Sequence, residues 1–368
     1  MTRVIVCVGG GGVGKTSTSA AIALALAHSG HRTLIVTIDP ARRLAGAMGV
    51  TISDEVTTVP LPEGTRGTLS ALMPDPHRSM RTFIDYLFET EPAAKERMLR
   101  NPLYIGLSDA APGIHELVAM NLVANAAAPK KGGNVVFDVI VIDTAPSRHA
   151  IDFVTYPARL SALLGGRVVT WLAGITRRGD APTSGPRSWF ARATAPIENL
   201  LAKVTGPNLL RDTAAMFSDL ALVRGRFVDL TARASELLLG DRVNYLLVAA
   251  PTAAARDDVL FLAGRLEKLG RRAHAVILNR AAAPPGDWLH DLTREAALPH
   301  VVTEVLGHLH HEYLARARAA EEHAADYSRQ LPKAPVVRLP HIEATAPDVV
   351  VAHLADAVAP HLAALLPK

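Results

Sequence analysis

Val4-Ile5-Val6-Cys7-Val8 runs directly into Gly9-Gly10-Gly11-Gly12-Val13-Gly14-Lys15-Thr16, and this junction decides the fold. Five apolar residues in a row read as a strand buried on both faces. The glycines then let the backbone wrap a chain of phosphates with its N–H groups pointing inward. Lys15 can reach the β/γ-phosphates and the Thr16 hydroxyl can serve Mg2+. A helix expected from Ser17 to about Ser29 turns its positive end toward the anion. A Gly-rich chain can produce G-x-x-x-x-G-K-T by chance. Set between an apolar strand and an Ala/Leu-rich helix, the motif reads as a nucleotide site spanning Gly9 to Ser17.

Further apolar strands are expected at Thr33–Ile38, Val135–Ile142, Tyr245–Ala249, Ala273–Leu278 and Val336–Leu339, with helical segments between them. That alternation specifies an α/β fold, a mostly parallel sheet flanked by helices. Two helical stretches interrupt it, residues 76–127 and 151–240. The first carries Met80, Phe83, Ile84, Leu87 and Phe88 at helical spacing. The second holds a Gly/Pro/Ser-rich break at Gly179–Ser188, expected to be a loop, and Pro284-Pro285-Gly286 marks another turn. The chain is read as one nucleotide-binding domain over 1–368, with 76–127 inserted and 151–240 as a helical subdomain.

Composition narrows the function. The 368 residues are 49% hydrophobic, enough for a large core, and the formal charge is +4. No basic run exceeds two or three residues, so no nucleic-acid partner is expected. The single cysteine, Cys7, lies inside the first strand. It excludes intramolecular disulfides and CxxC metal sites and fits a reducing cytoplasm. Met1-Thr2-Arg3 leads straight into the phosphate loop, so no signal peptide is expected. No uncharged apolar run reaches the ~18 residues of a membrane span, so stable membrane insertion is not expected.

Two carboxylates complete the site. Asp39 ends the second strand in Thr37-Ile38-Asp39-Pro40-Ala41-Arg42-Arg43-Leu44, and Asp143 ends another before Thr144-Ala145-Pro146-Ser147-Arg148-His149. Ligands in open α/β sheets bind beyond the carboxyl ends of strands, so both aspartates should face the phosphates. Asp143 suits the Mg2+ shell, partly through water. Asp39 suits orienting an attacking water beside the γ-phosphate, and it is counted with Thr16 and Asp143 among the Mg2+ residues. Either one alone could equally cap the next helix.

These segments, with Pro112-Gly113-Ile114-His115-Glu116, resemble the ArsA-like ATPases. That family includes the arsenite-efflux ATPase and the ATPase of guided entry of tail-anchored membrane proteins. The resemblance covers nearly the whole chain, and the bacterial ArsA-like branch, with D-P-A-[KR]-R-L and D-T-[AP]-P-[ST]-R, looks nearest. It implies a P-loop NTPase fold, ATP and Mg2+ as ligands, and catalysis by Lys15 and Asp39. It also implies a switch I around Asp39, Pro40, Arg42 and Arg43, and a switch II with Asp143, Thr144, Pro146 and Arg148. By the same analogy Asn279 binds adenine and the Leu339-Pro340 segment packs on the base. Without the family, Asn279 reads as a strand-end turn residue. No Asn-Lys-x-Asp motif appears, which favours ATP over GTP.

The chain departs from the family in one place. The usual loop reads G-K-G-G-x-G-K-[ST], and its first lysine reaches the phosphates of a partner subunit. Here that position is Gly10. Arg42, Arg43 or Arg148 acting in trans would replace it, or a paralogue that keeps the lysine would supply it in a heterodimer. Slow turnover and weak self-association of the lone chain follow, and Gly10→Lys is expected to raise both if the homodimer is conventional. Arsenite does not suit a chain with one buried thiol. His308, His310, His311 and His323, with Glu304 and Glu312 to complete a metal site, read first as a solvated His-rich helix end.

The run Leu160–Ile175, and then Trp189, Phe190, Ile197, Leu200, Leu201, Val204, Leu209, Leu210, Met216, Phe217 and Leu220, form apolar helix faces. They read either as packing against the nucleotide domain or as an ATP-gated groove for an apolar helix of a protein client, which the resemblance favours. Three functional classes stand beside one another. They are a hydrolysing dimer switch, a weakly active or non-hydrolysing partner subunit, and a ParA/MinD-like positioning ATPase. The last would need a basic surface or tail, and the expected C-terminal helix Val349–Leu366 offers only Lys368 beyond its end.

Overall fold

Eight strands pair side by side in the order β3-β4-β2-β5-β1-β6-β7-β8. They are β1 (Arg3–Val8), β2 (Arg32–Thr37), β3 (Thr57–Val59), β4 (Thr68–Leu72), β5 (Val139–Asp143), β6 (Val243–Ala249), β7 (Ala273–Ala281) and β8 (Val336–Pro340). The structure is a computed structural model and describes residues 2–38, 43–53, 55–105, 114–127, 136–145, 207–284, 299–344 and 346–366. Every pairing is parallel except that of β3 with β4. All of Val4–Val8, Val139–Asp143 and Val243–Ala249 are buried, as a central parallel strand covered on both faces requires. The expected α/β sheet with flanking helices is the fold of this chain.

The helices are α1 (Lys15–His28), α2 (Arg43–Met48), α3 (Pro76–Leu87), α4 (Pro92–Arg100), α5 (Ile114–Ala127), α6 (Pro207–Leu222), α7 (Arg224–Leu239), α8 (Ala253–Lys268), α9 (His300–Gln330), α10 (Pro347–Val358) and α11 (Leu362–Leu365). The chain forms two compact units. One comprises residues 1–74, 125–152 and 237–368, and the other residues 75–124 and 153–236.

The first unit carries the sheet. Two of its strands, β3 and β4, are absent from the sequence-based expectation. They are short, and Pro60, Pro62, Gly64 and Gly67 interrupt the pattern between them. The strand expected from Val135 begins instead at Val139. Asp138, just before it, is engaged with Arg32, its carboxylate accepting from the backbone N–H at 2.9 Å and from the guanidinium at 2.8 and 3.2 Å. The expected C-terminal helix is broken. Around Pro360 the chain tightens into a 3-10 turn, Ala359–His361, between α10 and α11. Pro347–Leu365 is long and apolar enough to cross a membrane by length and composition, although Asp348 and Asp356 lie within it. Its apolar face, Val351, Leu354, Ala355 and Val358, is buried, and α10 packs against α1.

The second unit, among the described residues, is helical. Asp75 caps α3 by accepting from the Arg78 N–H at 2.9 Å, with Pro76 in the first turn. Met80, Phe83, Ile84, Leu87 and Phe88 form one cluster with Met98, Met216, Phe227 and Leu230, and Phe83 meets Phe227 edge to face. Phe217 and Leu220 pack against it. These α6 residues pack within their own unit. The run Leu160–Ile175, the residues from Trp189 to Val204 and the break at Gly179–Ser188 lie outside the described residues.

Candidate nucleotide site

β1 ends at Val8, and the chain turns through Gly9–Gly14 before α1 starts at Lys15. Gly14 is the hinge of that turn. It stands before the helix at φ 87°, in the left-handed region, and a Cβ there would lie 2.3 Å from Asn279 Nδ2. Only glycine meets both conditions without strain. Lys15 is buried, and its ammonium donates to the Gly10 carbonyl at 2.7 Å. The loop's cation is thus folded over the loop itself, within reach of whatever the loop holds. Thr16 and Ser17 follow in the first turn of α1.

Asp143, the last residue of β5, is fully buried and gathers hydroxyls. Thr16 Oγ1 donates to it at 2.8 Å, Thr37 Oγ1 at 3.2 Å and Ser19 Oγ at 3.5 Å. The Asp143 carboxylate thus accepts from side chains of β2 and α1. A carboxylate and a threonine hydroxyl in contact at the mouth of a phosphate loop are oxygen donors that suit a hard divalent cation, with phosphate and water completing its shell. The donors fit Mg2+. Among the described residues no three His, Cys, Asp or Glu side chains gather to hold a metal, and His308 and His311 are exposed on α9.

The sheet register brings the β2 end to the same edge. Thr37 pairs with Asp143, and the Ile38 N–H donates to the Asp143 carbonyl at 2.9 Å. Asp39, Pro40 and Arg42 follow in sequence and lie outside the described residues, as do Pro146 and Arg148. Arg43 opens α2 and is exposed. Thr144 is buried, its hydroxyl donating to the Cys7 carbonyl at 2.8 Å, so it ties β5 to the end of β1. Burial pushes the Cys7 thiol up to about 12. A thiol that stays protonated is neither a nucleophile nor a thiolate ligand.

Asn279 reaches the loop from two strands away. It is buried at the end of β7 and its amide donates to the Val13 carbonyl at 3.0 Å. That bond supports the phosphate loop, a role the adenine expectation did not include. Pro340 ends β8, exposed, opposite Ala281.

Residues 2–175 match the family model described as "Anion-transporting ATPase", ArsA_ATPase. Over these residues the chain is similar to the ArsA-like ATPases. The similarity extends to fungal ATPases named get3. It is 30% identity over 176 residues with that of Schizosaccharomyces japonicus, 47% of this chain and 48% of the relative. With that of Schizosaccharomyces pombe it is 32% over 135 residues, 36% of each. With that of Candida glabrata it is 28% over 190 residues, 48% of this chain and 51% of the relative. The chain spans about half the length, or less, of these curated relatives.

Sequence reasoning missed several parts of this site. Thr37 and Ser19 carry no motif, and only the packing of β2 and α1 on β5 brings them to Asp143. Asp258 was also missed. It sits on α8, intermediate in exposure, with its carboxylate beside Gly10. No spacing in the sequence links residue 258 to residue 10.

Proposed function

We propose that this ArsA-like chain binds ATP with Mg2+ at Gly9–Ser17 and hydrolyses it to drive a switch between open and closed dimers. The observation that carries this reading is the Thr16–Asp143 contact at the mouth of the phosphate loop, with Lys15 buried beside it. Lys15 and the loop N–H groups bind and orient the phosphates, and Thr16 with Asp143 would hold the cation. When bound, Mg2+ neutralises charge on the transferring phosphoryl group. Asp39, one residue beyond Ile38, accepts a hydrogen bond from the attacking water and aligns it. Asn279 and Pro340 flank the base. A protein client with an apolar helix is handled by the helical unit, and a cytoplasmic setting suits the lone protonated Cys7.

The test separates binding from turnover. Lys15→Ala should weaken ATP binding in calorimetry with the fold intact. Asp39→Asn should keep binding and lower turnover by about 10²-fold or more, the scale of a positioned catalytic group. Unchanged ATP affinity in Lys15→Ala would remove the site.

Gly10 favours a second reading, in which the lone chain is a weakly active partner of an ArsA-like paralogue that supplies the lysine. Sedimentation and ATPase assays on the isolated protein decide between them. A tight ATP-bound homodimer with rapid turnover would refute the partner reading.

A further inference from the structure

Tyr327 on α9 is fully buried, and its hydroxyl has no hydrogen-bond partner among the described residues. Tyr245, buried as deeply, donates its hydroxyl to the Leu238 carbonyl at 2.8 Å. A buried donor left without an acceptor is costly and rare, so its persistence points to a second arrangement in which it is used. Burial raises the pKa of the phenol, Arg256 opposes this, and Asp326, Asp257 and Asp258 add to it. Tyr327 therefore stays protonated and able to donate.

The three carboxylates near this phenol narrow the acceptor to one. Asp326 is engaged by Arg256 of α8, by Gln330 at 2.9 Å and by Arg329 at 3.3 Å. Asp257 is exposed and pairs with Arg256 at 3.6 Å. Asp258 is intermediate in exposure, and its carboxylate lies where a side chain of Gly10 would begin. One carboxylate is thus within range of both the phosphate loop and the unpaired hydroxyl.

We infer that Asp258 and Tyr327 form a phosphate-operated latch, in which Asp258 leaves Gly10 and accepts a hydrogen bond from the Tyr327 hydroxyl when a polyphosphate occupies the loop. This rests on the nucleotide site proposed above. Charge at residue 10 sets the balance. Lys15 donates to the Gly10 carbonyl at 2.7 Å, on the residue that Asp258 lies against, and its ammonium offsets the carboxylate. A triphosphate brings negative charge to the loop and draws Lys15 toward its oxygens, so the place beside Gly10 becomes unfavourable for Asp258. The Tyr327 hydroxyl offers a charge-assisted hydrogen bond instead. The exchange carries the state of the loop through α8 to α9, which packs on β7 and β8. A ligand that prefers one of two arrangements gains affinity from whatever stabilises that arrangement.

The experiment measures affinity for ATP and for inorganic tripolyphosphate, each with Mg2+, alongside thermal melting of the protein without nucleotide. Tyr327→Phe should melt at the same temperature or higher, because it deletes an unpaired buried hydroxyl. Its affinity for both ligands should fall equally, by about tenfold, the scale of one hydrogen bond to a charged group. In an Asp258→Ala background the same substitution should change neither affinity. A merely structural hydroxyl would lower the melting temperature of Tyr327→Phe and overturn the inference. So would unchanged affinity in Tyr327→Phe, a loss confined to ATP, or an equal loss with and without Asp258. Lys15→Ala separates the two claims. If it weakens neither ligand, the nucleotide site is misassigned and the latch falls with it. If it weakens both while Tyr327→Phe weakens neither, the latch alone is overturned.

Discussion

Asp258 fills the space that a side chain at position 10 would enter: a Cβ built on Gly10 lies 2.1 Å from its carboxylate oxygen. The missing lysine of the phosphate loop is therefore matched by an acidic residue on α8. Gly10→Lys, expected from the sequence to raise activity and association, meets this carboxylate first. A lysine there should pair within the chain and fall short of a neighbouring subunit. The carboxylate is the mobile end of a side chain, so Gly10→Ala should cost only about 1 kcal/mol, the low end of overpacking. Asp258→Ala in the same chain should recover that loss. A double-mutant cycle by chemical denaturation measures the coupling, and additive effects would show that the two positions are independent.

The Asp143 cluster predicts a metal-dependent phenotype. Asp143→Asn keeps an oxygen to accept from Thr16 and Thr37 but removes the charge. ATP binding without Mg2+ should change little, and the gain in affinity on adding Mg2+ should shrink by about tenfold, or about 1.4 kcal/mol. Calorimetry with and without the cation reads this directly. An undiminished Mg2+ effect would move the metal away from β5.

His274 predicts a pH dependence. Its Nδ1 accepts from the Tyr245 N–H at 3.2 Å where the β6–β7 register slips, so the ring stands in for a ladder carbonyl. Burial, then the neighbouring Arg272 and Arg271, lower its pKa. Because the folded value lies below the unfolded one, its contribution to stability is fully present above about pH 6.5. That contribution is lost as pH falls through the lowered folded value. Melting temperature should drop over this window in wild type and less in His274→Asn, which keeps an acceptor and cannot titrate there. Parallel pH profiles would count against it.

Arg97 and Asp219 predict an asymmetry in the helical unit. Their 2.5 Å contact joins an arginine side chain 57% exposed to a carboxylate 6% exposed. Removing the arginine strands a buried acceptor, whereas removing the aspartate leaves a cation free to reach water. Arg97→Ala should therefore destabilise the unit by about 1–3 kcal/mol and Asp219→Ala by less. Hydrogen exchange along α4 and α6 localises the effect to this unit.

The phosphate loop was legible because its information is local. Gly9–Thr16 follows an unbroken apolar strand, and both the wrap of the backbone and the start of α1 are consequences of residues adjacent in sequence. The parallel sheet was legible for a related reason, since strands buried on both faces are apolar throughout. The edge strands β3 and β4 were not, because short segments beside prolines and glycines carry little periodicity. Asp143 was legible as a strand-end carboxylate, but its contacts with Thr16, Thr37 and Ser19 exist only once β2, β5 and α1 pack together. Asn279 on the Val13 carbonyl and Asp258 beside Gly10 span more than two hundred residues. Their placement is settled by the register of β6, β7 and β8, where single-residue shifts and a bulge turn side chains from one face to the other. The sequence by itself thus determined the chemistry offered at the loop, and only the tertiary structure decided which distant side chains support it and which one closes position 10.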